Sequence, residues 1–121
     1  MTTHRILAVG LDAYQVKQLQ LKLAGRVELQ IWSLKDQGPP PLAELLLVDS
    51  QESLKESLAF VRAYQTEHQA RNTPLIFCLP TAEGSEVLRQ LVARLGAVRI
   101  LQPPVDSLEL VRHVALILGL R

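Results

Sequence analysis

Three short runs of uninterrupted apolar residues set the terms for this chain: Ile6-Leu7-Ala8-Val9, Leu45-Leu46-Leu47-Val48 and Leu75-Ile76-Phe77-Cys78-Leu79. Each is too short for a useful helix and too apolar to leave either face in water. Such a run reads as a strand covered on both sides, and sheets covered on both sides are parallel ones. Parallel neighbours cannot be joined by a tight turn, so each strand needs a crossover, normally a helix. The intervening sequence supplies most of them. After Gly10-Leu11, Asp12 and Gln15 have the spacing of a capping box, and Val16, Leu19 and Leu23 follow at helical intervals up to a stop at Gly25. Leu54, Leu58, Val61 and Tyr64 mark one face of a helix running to about His68, which Ala70-Arg71-Asn72-Thr73-Pro74 breaks. Pro80-Thr81-Ala82-Glu83-Gly84 turns the chain into a third helix carrying Val87, Leu88, Leu91 and Leu95, ended by Gly96. Asp106 with Glu109 makes a second capping box, for a last helix from Ser107 to about Leu118.

Two weaker strands complete the set. Val27, Leu29 and Ile31 alternate with Glu28, Gln30 and Trp32, the period of a strand with unequal faces at a sheet edge, and Val98 to Leu101 form a short fifth strand stopped by Pro103-Pro104. Between residues Lys35 and Glu44, Gly38 and the run Pro39-Pro40-Pro41 remove backbone donors and forbid a regular helix. The second crossover helix is therefore expected to be missing or reduced to a turn, leaving one sheet face partly uncovered near Trp32. The expectation is an α/β fold, a five-stranded parallel sheet doubly wound with helices, in a single domain spanning residues 1–121. A composition 48% hydrophobic and 21% charged suits an ordinary globular domain.

Charge and cysteine usage narrow the function classes. A net charge of +1 gives no field for nucleic acid or an anionic membrane. No basic recognition helix is present, so neither partner is expected. The single Cys78 sits inside an apolar run and reads as a small buried hydrophobe in a reducing compartment. The first apolar run is too short for a signal peptide, and no later stretch reaches ~20 apolar residues, so a cytoplasmic location is expected. His4, His68 and His113 lie on elements that do not converge, which speaks against a metal centre. Trp32 and Tyr64 read as packing residues, and Lys17, Lys22, Arg62, Arg89 and Arg94 as solvated helix faces.

In open α/β sheets, ligands and chemistry collect at the carboxyl ends of the strands. The third strand delivers one carboxylate, Asp49, to that edge, while the first ends in Gly10-Leu11 and brings none. Asp12 is more economically a helix cap than a metal ligand. The last helix is unusual in carrying two apolar stripes, Leu108, Val111, Ala115 and Leu118 on one and Leu110, Val114 and Ile117 on the other. A second apolar stripe on a terminal helix marks a contact surface. On this reading Leu110, Val114 and Ile117 form an interface, and Val111 and Ala115 belong to the core.

Taken with the order of elements, several residues resemble the receiver domain of two-component response regulators over essentially the whole chain. They are Ile6-Leu7-Ala8-Val9, the third strand ending in Asp49, Pro74 before the fourth strand, Thr81-Ala82 after it, Gly96-Ala97, and Pro103-Pro104 after the fifth. The resemblance implies a sheet order 2-1-3-4-5 and a role in signal transduction. Receivers take phosphate on the Asp of the third strand, with Mg²⁺ held by an acidic pair after the first strand. A Thr or Ser after the fourth strand contacts the phosphoryl group, and a Lys precedes the Pro after the fifth. By position Asp49 is the phosphoacceptor candidate and Thr81 the phosphate-contact candidate. Gly10 and Leu11 stand where the acidic pair would be, and Pro103, or Gln102 if the strand is shifted by one residue, stands at the Lys position. The segment Ser50-Gln51-Glu52-Ser53 lacks the Met-Pro and Gly of the usual receiver loop.

Two functions follow from the resemblance. The first is a degenerate, pseudo-receiver domain, not an enzyme and without a cofactor. It would meet a protein partner or a second copy through the family's fourth helix, fifth strand and fifth helix, chiefly the last helix. The alternative is a phosphoaccepting single-domain response regulator that uses Asp49 and Mg²⁺ with a histidine kinase. The chain stops at Leu120-Arg121 without an output module, so it is expected to act alone on a partner or to have been separated from an effector.

Overall fold

The structure, a computed structural model, describes residues 3–36, 38–68, 72–81 and 85–120. The strands are β1 (His4–Val9), β2 (Val27–Trp32), β3 (Leu45–Asp49), β4 (Leu75–Cys78) and β5 (Ala97–Leu101). They form one sheet in the order β2-β1-β3-β4-β5, with every neighbouring pair parallel. The described helices are α1 (Ala13–Lys22), α2 (Leu54–His68), α3 (Ser85–Arg94) and α4 (Ser107–Leu118). The turn expected over Pro80 to Gly84 lies partly outside the described residues, which omit 82–84.

Central and edge strands differ as their sequences require. Ile6 to Val9, all of β3 and all of β4 are buried, because helices cover both of their faces. On β2 no residue is fully buried: Val27, Leu29 and Trp32 are half-buried and Glu28, Gln30 and Ile31 exposed, as befits a strand with one free side. One core layer joins Leu7, Val9, Leu46, Val48, Leu75 and Phe77 of the sheet to Val61 and Tyr64 of α2 and Val92 of α3. The opposite layer joins Ile6, Leu45, Leu47, Ile76 and Cys78 to Leu19 of α1, the adjoining Leu23, and Leu110 and Val114 of α4. Each fully buried Leu or Val in these layers contributes roughly 1.5–3 kcal/mol from leaving water.

The caps sit where the sequence puts them. The Asp12 carboxylate accepts from the Gln15 N–H at 2.7 Å and Gln15 Oε1 accepts from the Asp12 N–H at 3.1 Å, a complete capping box. Asp106 caps α4 by accepting from the Leu108 N–H at 2.9 Å. Glu109, expected as the second arm of that box, lies instead with its carboxylate 3.6 Å from Nε2 of His113, one turn on.

The last helix corrects the expected interface. Leu110 and Val114 are 0% exposed, so they belong to the core and not to a free surface, and Ile117 is half-buried against the same layer. Val111 and Ala115, expected deeper, are only half-buried. Two apolar stripes on one helix fix the angle between them, and nothing local says which one the sheet occupies. Here Leu110 and Val114 join the sheet layer, and Val111, Ala115 and Leu118 flank it. The stripe left in water is Leu108, Arg112 and Leu116, at intervals of four residues, with Leu108 55% and Leu116 64% exposed.

The crossover from β2 to β3 contains no helix among its described residues, as the prolines require. It opens with a turn in which the Asp36 carboxylate accepts from the Ser33 N–H at 2.7 Å and the Asp36 N–H donates to the Ser33 carbonyl at 2.9 Å. Its second half is an extended strap held by α2. The Tyr64 hydroxyl donates to the Ala43 carbonyl at 3.2 Å and accepts from the Ala43 N–H at 3.1 Å, and His68 Nε2 hydrogen-bonds to the Pro40 carbonyl. Pro40 and Ala43 are buried under this clamp. The strap thereby satisfies backbone groups that a crossover helix would have paired internally.

Candidate functional site

The carboxyl edge of the sheet brings together the ends of β1 and β3 and the start of α1. β3 carries Asp49 at its last position, in register with Cys78 of β4, and the carboxylate is nearly enclosed, with 5% of the residue exposed. Its Oδ1 accepts from the Gln51 N–H at 3.1 Å, an Asx-type turn that starts the chain towards α2. The buried Gln15 side chain also hydrogen-bonds to Asp49. Because Gln15 Oε1 is already taken by the Asp12 N–H, it is the amide NH₂ that donates. Burial raises the Asp49 pKa above the ordinary carboxylate value, and the negative charge of Asp12 adds to that, while the bonds from Gln51 and Gln15 oppose it.

The loop between β1 and α1 is shaped by Gly10. Its φ of +80° lies in the left-handed region, and a Cβ built there would lie 2.2 Å from the Asp49 carbonyl oxygen. No side chain fits there without moving the backbone at the end of β3. Leu11 turns half-buried into the layer between the sheet, α1 and α4. Thus one member of the expected acidic pair has no room for a side chain, and the other packs half-buried against the core.

The remaining candidates are spread along the same edge. Ser50 is fully buried, and its hydroxyl donates to the Cys78 carbonyl at 2.7 Å, tying β3 to β4 just past Asp49. The Cys78 thiol is pushed up by burial and further by the negative charges of Asp49 and Glu109, which keeps it protonated and unreactive. Thr81 is exposed, three residues beyond the end of β4. Past β5 come Gln102 and Pro103, so neither reading of the Lys position brings a cation to Asp49. The three histidines are scattered as expected: His4 on Glu44 at 2.6 Å, His68 on the strap, His113 beside Glu109.

Mg²⁺, the ion that the receiver resemblance implies, does not fit these residues. A hard divalent cation wants several oxygen ligands in octahedral array. Gly10 and Leu11 offer no side-chain oxygen, and the buried Gln15 meets Asp49 with an amide that donates to it. Among the described residues no group of three or more His, Cys, Asp or Glu could hold a metal ion. The Gln15 contact was not legible in the sequence, where Gln15 showed only the spacing of a cap.

The sequence itself matches no protein family and no curated protein. The fold, in contrast, is similar to solved receiver domains. A signal receiver domain of a two-component histidine kinase from Clostridium thermocellum superposes with a TM-score of 0.71 at 15% identity, over 98% of this chain and 100% of that one. The non-phosphorylated HemR receiver domain from Leptospira biflexa gives 0.71 at 17% identity, over 98% and 97%. The chemotaxis response regulator CheY4 of Vibrio cholerae gives 0.70 at 18% identity, over 96% and 99%. The chain therefore has the receiver-domain fold over nearly its full length. No described helix is long and apolar enough to cross a membrane.

Proposed function

We propose that this chain is a receiver-like signalling domain that works through protein–protein contact and takes no phosphate on Asp49. The observation that carries the reading is the contact between Gly10 and the Asp49 carbonyl, where a Cβ would come within 2.2 Å. Transfer of a phosphoryl group to a carboxylate gathers negative charge on oxygen, which a metal and a cationic side chain must neutralise. At this edge the first position of the receiver acidic pair admits no side chain, the second is Leu11, packed half-buried against the core, and no Lys follows β5. Burial also draws the Asp49 carboxyl towards its neutral form, the weaker nucleophile.

The contact surface lies at the outer edge of the sheet, where β5 runs between α3 and α4. Val87, Val98, Leu108 and Leu116 are the large apolar side chains left exposed on these three elements, at 75%, 44%, 55% and 64%. This keeps the surface implied by the receiver resemblance but moves it from Leu110 and Val114 to their exposed neighbours. A protein partner or a second copy would cover it.

The test is incubation with acetyl phosphate and Mg²⁺, followed by intact mass and by amide chemical shifts around Asp49 and Thr81. The expected result is an unchanged mass and no metal-dependent shift. A phosphoryl adduct that disappears in Asp49→Asn would overturn the reading and establish the phosphoaccepting alternative.

A further inference from the structure

The helix missing between β2 and β3 leaves a trough on the sheet face that α2 and α3 only partly cover. Its larger part, about 380 Å³, is lined by Trp32, Leu34, Pro40, Phe60, Ala59 and Ala63, with Gly38 beside them and Asp36 and Glu56 at the rim. A second hollow of about 210 Å³, also lined by Trp32 and Leu34, lies at the carboxyl edge beside Gly10, Leu11 and Glu52. Two features of this trough decide what fits it. Its floor is apolar, formed by Trp32, Leu34 and Phe60 where they pack against the core. Every ionisable side chain lining the two hollows among the described residues is a carboxylate: Asp36 and Glu56 in the larger, Glu52 in the smaller.

We propose that the trough between Trp32 and α2 receives the apolar face of an amphipathic helix from a partner protein, with lysines or arginines flanking that face. A helix is the element that this fold ordinarily lays across a sheet, and here the strap Pro39-Pro40-Pro41 cannot form one. Helix-in-groove recognition uses apolar anchors at intervals of three and four residues. Trp32, Leu34 and Phe60 offer the matching apolar floor. Charge complementarity fixes the flanks, because carboxylates around a concave apolar wall focus a negative potential. The same potential disfavours nucleic acid and anionic lipid. The strap, clamped by Tyr64 and His68, keeps the floor formed before the partner arrives. This inference is independent of whether Asp49 takes phosphate.

Trp32 is the chain's one tryptophan, so its fluorescence reports on the trough alone. The probe is a synthetic helical peptide with leucines at intervals of three and four residues and lysines elsewhere, compared with the same peptide bearing glutamates. The lysine peptide should shift the Trp32 emission saturably, weaken with added salt, and move the amide signals of Ala59, Phe60 and Ala63. The glutamate peptide should not bind. Ala59→Arg puts bulk and a cation on an exposed helix position in the trough and should weaken binding by at least about tenfold. The double variant Asp36→Asn with Glu56→Gln should weaken it while keeping the shape. Equal binding of the two peptides, amide shifts confined to other elements, or full affinity in a folded Ala59→Arg protein would each overturn the proposal, as would failure of the lysine peptide to bind.

Discussion

Replacing Gly10 tests the central argument most directly, because the structure gives both parts of its cost. The φ of +80° obliges any L-residue there to adopt the left-handed conformation, at about 1–2 kcal/mol. The second part is steric. The Cβ would sit 2.2 Å from a carbonyl oxygen of β3, and no rotamer change can relieve a clash with backbone. Forcing extra atoms into a packed site costs typically ~1–3 kcal/mol. Gly10→Ala should therefore destabilise by about 2–5 kcal/mol, a fall in melting temperature on the order of 10–20 °C for a domain of this size. Gly25→Ala is the internal control, since Gly25 has a φ of +78° with nothing within 4 Å, so it carries the conformational cost without the clash. Thermal melts followed by circular dichroism would separate the two terms. Gly10→Asp, which restores the carboxylate of a receiver acidic pair, should be no more stable than Gly10→Ala, and millimolar Mg²⁺ should not raise its melting temperature as a bound ligand would. The reasoning is refuted if Gly10→Ala loses no more than Gly25→Ala, or if Mg²⁺ stabilises Gly10→Asp.

Two further predictions concern the core and the buried carboxyl. Leu110→Ala should cost about 2–5 kcal/mol by urea unfolding, as a fully buried leucine does, while Leu116→Ser should stay within ~0.5 kcal/mol of the parent. The opposite ranking would return Leu110 to the surface. The raised pKa of Asp49 means that the folded state binds its proton more tightly than the unfolded chain does. Its stabilising contribution is present below the unfolded pKa and is lost as pH rises through the higher, folded value. Asp49→Asn, a neutral isostere that can still accept from Gln51, should therefore raise the melting temperature at neutral pH, with the gain fading in acid. A loss of stability at neutral pH would show that the charged carboxylate is favoured by its hydrogen bonds.

Much of the fold was legible because its signals are local. Apolar runs in β1, β3 and β4, the alternation in β2, the Asp12 cap and the proline run each act within a few residues, and the missing crossover helix followed from backbone chemistry alone. The absence of carboxylates at positions 10 and 11 was likewise plain. Contacts between distant segments were decided only by the tertiary structure. Which stripe of α4 meets the sheet depends on how that helix is rolled against α1, and periodicity carries no information on roll, so the pattern alone does not place Leu110 and Val114 in the layer against the sheet where they lie. Gln15 showed in sequence only as a cap, and its bond to Asp49 exists because the parallel pairing of β1 with β3 sets the α1 start beside the end of β3. That pairing also sets the Asp49 carbonyl where a side chain on Gly10 would have to go. The sequence by itself determined that the acidic pair is absent; the packing of two strands decided that this position has no space for one, since steric exclusion is a property of neighbours in space and not along the chain.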